Sequence, residues 1–502
     1  MGCYFFNPLS NAIAVSATNG QTNPFYRGGA NSAVINDPAV IQNLYGNYTN
    51  FATSEIFAAE AVLSGAAPIT FPGGEVKWAA GVQYRYNRDT TTIGDLFNNK
   101  VNPCVDSVDD GTPVCGAPSG PLIFFGSASN TDASQDVVAG FGEVRIPLLT
   151  NLEVTGAIRY EKFSNGLDTT NPKIAVKWQA LDWLAFRGTA GTTFRAPTAG
   201  QVDPGCGVGV ANLFGQYRAV QTCGNASLTP ETADAYSVGA IFQKGGFNLT
   251  LDYYLFKFKD ELTTEGSSNL FAAMFSPNHC GDPAFAALQA RFVFSNAGCA
   301  AANVLQVNTF AVNGPPTQTS GYDLRASYDW DGWYDAAYQV GFEGTYLKEY
   351  ARGAFTLLGA PNVVFAAPFD RAGTHDLQSA FFSYPRLRGN GWINWHKDKI
   401  NVRYQLRYAE GTRAAINTAN DVLVATPGTA PGYKAGTIGK LEDFWQHDIT
   451  VQAQLPWDTQ LTLSIQNILD TDPPDAPSNY NYDYTTGNPL GRVFQVGVKK
   501  KF

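Results

Sequence analysis

Apolar and polar side chains alternate along much of the chain, and a period of two predicts β-strands. In residues 152–160 the even positions are mainly apolar and the odd positions mainly polar, and residues 247–255 and 400–408 repeat the alternation. Runs of about 9 to 11 residues match the tilted span of a membrane β-barrel, whereas soluble strands average about 5 to 6 residues. The chain is therefore predicted to be all-β, and a transmembrane antiparallel barrel is favoured over a β-sandwich.

Extended along the chain, the pattern predicts fifteen strands joined by two kinds of connection. The strands lie near residues 53–66, 75–88, 134–147, 151–163, 170–181, 183–194, 231–244, 246–260, 318–330, 335–348, 384–396, 399–410, 443–455, 459–468 and 491–502. Short turns such as 456–458 alternate with long excursions such as 261–317. Outer-membrane barrels have short periplasmic turns and long extracellular loops. Residues 1–50 lack the alternation and are interpreted as an extracellular loop with one short helix, so residues 51–502 supply the strands and the other loops.

Composition agrees with this interpretation and argues against two other classes of protein. Charged residues make up 15% of the chain and aromatic residues 13%. No apolar run reaches the roughly 18 residues that a transmembrane helix requires. The net charge is −9 and the largest basic cluster is Lys499–Lys501, which argues against nucleic acid as a partner. The N-terminal residues do not resemble a signal peptide, so we expect the start of an exported precursor to be missing.

Six of the seven cysteines form pairs that are close in sequence and fall within long connections. The pairs are Cys104 with Cys115, Cys206 with Cys223, and Cys280 with Cys299. Such pairs predict disulfides and an oxidising compartment. A metal site is not predicted, because no Cys-x-x-Cys motif occurs and the four histidines are scattered. Cys3 has no neighbouring cysteine and is either a free thiol or the partner of a cysteine upstream of residue 1.

Four short motifs follow one another along the chain. They are Phe194-Arg195-Ala196-Pro197-Thr198, Leu228-Thr229-Pro230-Glu231-Thr232, Asn467-Ile468-Leu469-Asp470 followed by Pro473-Pro474, and Gly491-Arg492-Val493-Phe494. Together they resemble the FRAP-type, L-x-P-E-x, N-L-F-D and closing-strand motifs of TonB-dependent outer-membrane receptors. That family has a barrel of about 22 strands around an N-terminal plug domain. The resemblance implies that residues 1–502 are a C-terminal part of such a barrel, without the plug, TonB box or signal peptide.

The resemblance also implies a function. The chain would belong to a receptor and transporter in the outer membrane of a Gram-negative bacterium, with no cofactor. Its loops would capture a scarce nutrient such as a siderophore, cobalamin, an oligosaccharide or a peptide, and a TonB-type complex would energise uptake through the plug. Outer-membrane lipid and the barrel-assembly machinery would be its other partners. Heme is disfavoured, because no histidine lies between Phe194 and Glu231.

Two alternatives to the receptor stay open. The first is a passive porin-like channel, which would share the barrel but need no energised plug. The second is an outer-membrane barrel enzyme. No nucleophile elbow or local acid–base pair is present in the sequence, so we predict that the chain is not an enzyme.

Two groups of residues are candidates for contact with a ligand. Arg187 and Arg195 share the parity of the polar residues on their predicted strand, so both would point into the barrel lumen. There they would either tune selectivity or form ion pairs with other charged residues. The second group lies in the long loop after the FRAP-type motif and consists of Phe214, Tyr217 and Arg218. This loop would be an outer ligand contact, or a segment ordered only by its disulfide.

The last predicted strand carries an apolar face that ends on an aromatic residue. Phe494, Val496, Val498 and Phe502 share this face. The pattern resembles the C-terminal signal that barrel-assembly machinery reads, so Phe494 and Phe502 are interpreted as an assembly signal. Lys500 falls on the same face, near the periplasmic interface, where a basic residue costs only about 0 to 1 kcal/mol.

Overall fold

A computed structural model describes residues 48–104, 120, 127–203, 205–375, 382–414, 440–476 and 481–501, together with the isolated positions 15 and 22. Several predictions concern residues outside this description. They include most of the predicted loop 1–50 with its helix, Cys3, Cys115 and Phe502.

Fifteen strands form one antiparallel sheet, which we call the wall, in which each strand pairs with its neighbours in chain order. They are β1 (Asn50–Phe71), β2 (Gly74–Ile93), β3 (Thr131–Leu149), β4 (Leu152–Phe163), β5 (Asp168–Leu181), β6 (Leu184–Arg195), β7 (Glu231–Lys244), β8 (Phe247–Lys259), β9 (Thr317–Gly332), β10 (Ala336–Arg352), β11 (Leu387–Lys397), β12 (Ile400–Ala409), β13 (Phe444–Leu455), β14 (Thr459–Gln466) and β15 (Val493–Lys500). All fifteen predicted strands are confirmed. A short sixteenth strand, Phe369–Asp370, pairs with the end of β10. The wall is open, because no pairing between β1 and β15 occurs in the described part of the chain.

Short turns join the strands at one edge of the wall, and longer connections join them at the other. Gly245 and Gly246 form the turn between β7 and β8, and both have positive φ angles. A Cβ atom at Gly246 would stand 2.3 Å from the carbonyl oxygen of Asp329, so only glycine fits there. The predicted strict alternation has one exception, since the connection of β4 to β5 at the long-connection edge comprises only residues 164–167.

The two faces of the wall differ in polarity, as the alternation predicts. One face carries exposed apolar side chains such as Ile158, Leu251 and Val496, the last of which is 70% exposed. Apolar surface of this extent indicates contact with lipid rather than with water. The other face carries charged residues such as Arg159 and Asp252 and borders a cavity, so we call it the inner face.

Aromatic side chains form a band on the outer face at the short-turn edge. Trp183 and Phe247 contact Phe242 with ring centroids 5.1 and 5.7 Å away, and the ammonium of Lys244 lies 5.8 Å from the Trp183 ring. Such a band with snorkelling lysines is typical of a membrane–water interface. Among the described residues, no helix has the length and apolar character needed to cross a bilayer.

The connections 196–230, 260–316 and 353–366 pack together into a unit that we call the cap. Its strands are Cys206–Leu213, Gln216–Cys223, Leu262–Thr264, Phe292–Phe294, Val304–Asn313, Phe355–Leu357 and Ala360–Ala366. Its helices are α1 (Ala199–Val202), α2 (Ser267–Phe275) and α3 (Ala286–Gln289), with 3-10 turns at Pro283–Phe285 and Ala301–Asn303. Outside the cap lie two paired short strands, Thr374–His375 and Arg413–Ala414, and 3-10 turns at Asp95–Phe97 and Trp333–Asp335.

The cap contains the main apolar core of the described residues. Leu270 on α2, Leu288 on α3 and Val307 on a cap strand are completely buried. The strands Gln216–Cys223 and Val304–Asn313 run parallel, although their connection is long. The predicted disulfides Cys206–Cys223 and Cys280–Cys299 are confirmed, and both lie in the cap. Cys104 is also disulfide-bonded, and its predicted partner Cys115 lies outside the described residues.

Candidate functional site

Arg187 points to the inner face of the wall, where it forms an ion pair with Asp252. Its Nε donates to Oδ1 at 2.7 Å and its Nη2 to Oδ2 at 2.5 Å, a bidentate geometry that fixes both side chains. The strand between them carries Gly239 opposite both residues. A Cβ atom at Gly239 would stand 1.9 Å from Oδ1 of Asp252. The ion pair therefore closes across β7 because that position has no side chain.

The Arg187–Asp252 pair borders a cavity of about 640 Å³ on the inner face. Its lining carries both signs of charge, including Asp323, Arg325 and Glu343. Arg325 and Glu343 lie opposite each other on β9 and β10, and the hydroxyl of Thr345 donates to Asp323 at 2.6 Å. The cavity is thus a polar surface suited to a charged, hydrogen-bonding solute.

Arg195 lies at the end of β6, where the wall meets the cap. Its Nη2 donates to Oε2 of Glu231 at 2.6 Å and to the carbonyl oxygen of Leu262 at 2.9 Å. The same Glu231 oxygen accepts the backbone N–H of Leu262 at 2.9 Å. Arg187 and Arg195 therefore both point to the inner face, as their parity predicts. Each forms an ion pair there, which is one of the two roles that the sequence left open.

The four sequence motifs meet in pairs in the structure. Arg195 of the first motif is the cross-strand partner of Glu231 in the second. The first motif also starts α1, since Thr198 and Gln201 form a capping box. Asp470 of the third motif accepts the backbone N–H of Arg492 in the fourth at 2.7 Å. Motifs that are separated in the sequence are thus in direct contact in the structure.

Phe214 and Tyr217 lie at the tip of the cap hairpin. Phe214 occupies the turn with a φ of 54°, and its ring stacks on Phe271 at 5.1 Å while about half of its surface stays exposed. Tyr217 is 60% exposed. Both rings are therefore accessible from outside the cap, and we name them the aromatic tip.

Arg218 follows the aromatic tip but lies inside the cap, with 4% of its surface exposed. Its guanidinium donates to the carbonyl oxygens of Val304 at 3.2 Å, Ala301 at 2.8 Å and Leu213, and lies 4.8 Å from the Phe271 ring. The prediction of a ligand contact is corrected here, because these carbonyl groups, together with the backbone and side-chain oxygens of Gln216, already accept from the guanidinium. Arg218 ties the hairpin to the rest of the cap.

A buried ion pair that the sequence did not reveal lies within the connection 260–316 and also contacts the connection 353–366 through Leu358. Nη2 of Arg291 lies 3.1 Å from Oε1 of Glu265, whose side chain is completely buried. Glu265 also accepts the backbone N–H groups of Phe310 at 3.1 Å and Leu358 at 3.3 Å. Burial raises the pKa of Glu265, while Arg291 and the two N–H groups oppose that change.

A second buried polar cluster joins three other connections, and we call it the polar junction (His375, Ser383, Thr412, Asp483 and Thr485). His375 is 1% exposed and its Nδ1 lies 3.0 Å from the Thr412 hydroxyl. The hydroxyls of Ser383 and Thr485 donate to Asp483 at 2.7 and 2.6 Å. Burial lowers the pKa of His375 to about 4. The Ser383 hydroxyl is thus bonded to a carboxylate, which is a structural contact and not a nucleophile–base pair.

The described residues hold no group of three or more histidine, cysteine, aspartate or glutamate side chains that could bind a metal ion. Three places on the path from the cap to the inner face can contact a solute: the aromatic tip, the ion pair of Arg195 with Glu231, which we call the mouth, and the cavity beside Arg187. They lie in that order from the cap toward the inner face of the wall.

Comparison with known proteins gives a family and a set of similar folds. The family described as TonB dependent receptor-like, beta-barrel, matches residues 7–468. The siderophore receptor PirA from Acinetobacter baumannii is 13% identical, with a TM-score of 0.57 over 90% of this chain and 55% of that one. A mutant of the ferric enterobactin receptor PfeA from Pseudomonas aeruginosa, in complex with enterobactin, is 15% identical, with a TM-score of 0.58 over 92% and 56%. These similarities show the fold, and the chain spans about half the length of both receptors. No curated protein matches by sequence.

Proposed function

Because the chain belongs to the TonB-dependent receptor-like β-barrel family, we propose that it forms the wall and cap of an outer-membrane receptor that imports a ferric siderophore. The family places the chain in the outer membrane of a Gram-negative bacterium. The observation that carries the proposal is a wall with an apolar outer face, a charged inner face and a packed cap at its long-connection edge. Two similar structures are siderophore receptors, which favours a siderophore over cobalamin, an oligosaccharide or a peptide.

The three solute sites suggest an order of events. The aromatic tip, Phe214 and Tyr217, captures the ligand from outside, since exposed loops on a rigid scaffold commonly carry binding. The ligand then passes the ion pair of Arg195 and Glu231 and reaches the cavity beside Arg187. A TonB-type complex supplies the energy for release across the membrane. Outer-membrane lipid covers the apolar face, and the barrel-assembly machinery inserts the wall.

Uptake of labelled iron tests this proposal. Cells that carry or lack the full-length gene are starved of iron, and the uptake of radioactive iron is measured as ferric enterobactin and as a ferric tris-hydroxamate. We expect the deletion to abolish the uptake of at least one complex, and a proton ionophore to do the same in cells that carry the gene. Equal uptake with and without the gene would contradict the proposal.

The same experiment separates the receptor from the porin. TonB-dependent receptors are transporters, which leaves a passive channel as the main rival. A porin would admit solutes down their gradient, so uptake would survive the ionophore and the purified full-length protein would conduct ions in a planar bilayer. Survival of uptake together with steady conductance would favour the porin.

A further inference from the structure

At the cap-side end of strand β8 the apolar side chains change from the outer face to the inner face. From Leu249 to Leu255 its odd positions are apolar and face outward. Beyond Leu255 the outward positions become Lys257 and Lys259, whereas the inner face receives aromatic rings. The inward side chains of Tyr254, Phe256 and Phe258 share the parity of Asp252, and we call them the aromatic ladder. An aromatic inner face is unexpected on a wall whose other inward positions are mostly polar or small.

The rings of the aromatic ladder follow each other in a regular row. The centroids of Tyr254 and Phe256 are 5.8 Å apart and those of Phe256 and Phe258 are 6.3 Å apart, with the latter pair stacked. Each ring is partly exposed. The row therefore presents ring surface to the inner side of the wall over the height of three successive inward positions.

Small side chains on both neighbouring strands leave the ladder uncovered. Phe256 lies opposite Ala235 on β7 and Phe258 lies opposite Ala233. On β9 the position opposite Tyr254 is Gly321, where a Cβ atom would stand 2.5 Å from the tyrosine hydroxyl. A larger residue at any of these positions would cover the rings. The register thus leaves the row free to be contacted.

The ladder does not belong to the core of the cap. Neither Phe256 nor Phe258 is among the apolar side chains packed in or against the cap's two apolar clusters, as far as the described residues show. The ladder starts with Phe258 below the mouth and ends with Tyr254, one inward position above Asp252 beside the cavity. It therefore connects the two polar sites along one strand.

We propose that the aromatic ladder is a stacking subsite for aryl rings of an anionic ligand, such as a ferric catecholate, on its way from the mouth to the cavity. Aromatic rings bind one another through offset stacking and edge contacts beyond their buried area. Arg325, which lines the cavity and is exposed, supplies a positive charge just below the ladder. This inference rests on the proposed function and adds to it the chemical class of the ligand.

Binding of two iron complexes to the full-length receptor tests the inference. Ferric enterobactin carries aryl rings and a ferric tris-hydroxamate carries none. We expect Phe256→Ala and Phe258→Ala each to weaken the binding of ferric enterobactin by roughly 5- to 10-fold, since a lost stacking contact costs about 1 kcal/mol or more. Phe256→Tyr should keep the affinity. The matched control is Tyr253→Ala, which removes a ring from the outer face of the same strand and should leave binding within twofold.

Each outcome decides between the ladder and the receptor function. If ferric enterobactin binds and the alanine variants bind it as well as the parent does, the ladder inference is wrong and the receptor function stands. If the parent binds only the tris-hydroxamate, the receptor function stands and the preference for aryl ligands is overturned. If the parent neither binds nor imports either complex, both proposals fail. Equal weakening of both complexes by the ladder variants would assign the rings a structural role.

Discussion

Different interactions stabilise the cap and the wall, although both belong to one chain. In the cap, Leu270, Met274 and Leu288 are completely buried, and the ion pair of Glu265 with Arg291 is buried as well. In the wall the comparable ion pair leaves the Arg187 side chain 47% exposed. The cap behaves as a small globular unit with an apolar core. The wall is a single sheet, and the main apolar cluster of the described residues lies in the cap and not in the wall.

The difference follows from the surroundings of each region. The outer face of the wall is apolar, as expected of a surface that faces lipid, and in such an environment strands need only pair with each other to satisfy their backbone groups. The cap projects beyond the wall and must bury its own apolar surface, and its two disulfides close loops that would otherwise be costly to order. Removing one charged partner of an ion pair should therefore lower the free energy of unfolding strongly in the cap and only slightly in the wall.

The largest effect is expected for Glu265→Ala. Removing this carboxylate leaves the Arg291 guanidinium buried without its partner, which costs about 3 to 5 kcal/mol. Hydrogen exchange of the full-length protein should show faster exchange of the amides in the cap strands Gln216–Cys223 and Val304–Asn313. Asp252→Ala is the control from the wall, with an expected cost of about 1 kcal/mol or less because its partner is half exposed. Equal costs for the two variants would contradict the comparison.

The next largest loss of stability is expected at the polar junction when the pH is lowered. The pKa of His375 is about 4 in the folded protein against 6.5 for an unperturbed histidine. The unfolded chain therefore binds this proton more readily, so the stability due to His375 is complete above pH 6.5 and is lost as the pH falls toward 4. The loss amounts to roughly 3 kcal/mol.

Hydrogen exchange near His375 at several pH values measures this loss. The groups that face the imidazole include the Thr412 hydroxyl, the Thr412 backbone and the Asp483 carboxylate, and the last two oppose the fall in pKa. His375→Gln removes the titration and should flatten the pH profile between pH 4 and 6.5. A steep profile that survives this substitution would show that other groups cause the acid sensitivity.

A smaller effect is expected for Gly239→Ala in the wall. The added Cβ displaces Asp252 from Arg187, and an exposed ion pair is worth only about 0 to 1 kcal/mol. Alanine itself favours a strand over glycine by about 0.5 to 1 kcal/mol, so the matched control is Gly497→Ala. That position also faces inward, and its nearest atom would be 3.8 Å away. The free energy of unfolding measured with urea should be lower for Gly239→Ala than for the control, by about 1 kcal/mol at most.

The wall could be predicted from the sequence because each of its strands is indicated by a pattern within that strand alone. Each strand carries its own alternation, and short turns fix the pairing of neighbours. Parity alone placed Arg187 and Arg195 on the inner face. Their partners Asp252 and Glu231 could not be predicted, because a contact across strands depends on a register that no single segment contains.

The cap could not be predicted, because its contacts join segments far apart in the chain. The parallel pairing of Gln216–Cys223 with Val304–Asn313 has no local signal. Arg218 was placed outside because loops usually lie at the surface, whereas carbonyl groups such as that of Val304, 86 residues away, surround it. The change of parity at Phe256, in contrast, is visible in the sequence once the inner face is known.

Tyr217→Ala is expected to cause the smallest change in stability. It should nevertheless weaken ligand binding. The ring is 60% exposed at the tip of the cap hairpin, so its loss should alter the stability of the cap by no more than about 0.5 kcal/mol. Ligand capture should nevertheless fall several-fold, measured as the affinity of the full-length receptor for ferric enterobactin. Trp457→Ala, at the opposite edge of the wall and 83% exposed, is the control and should not affect affinity. Unchanged affinity in both variants would remove the aromatic tip from the binding site and leave capture to the mouth and the ladder below it.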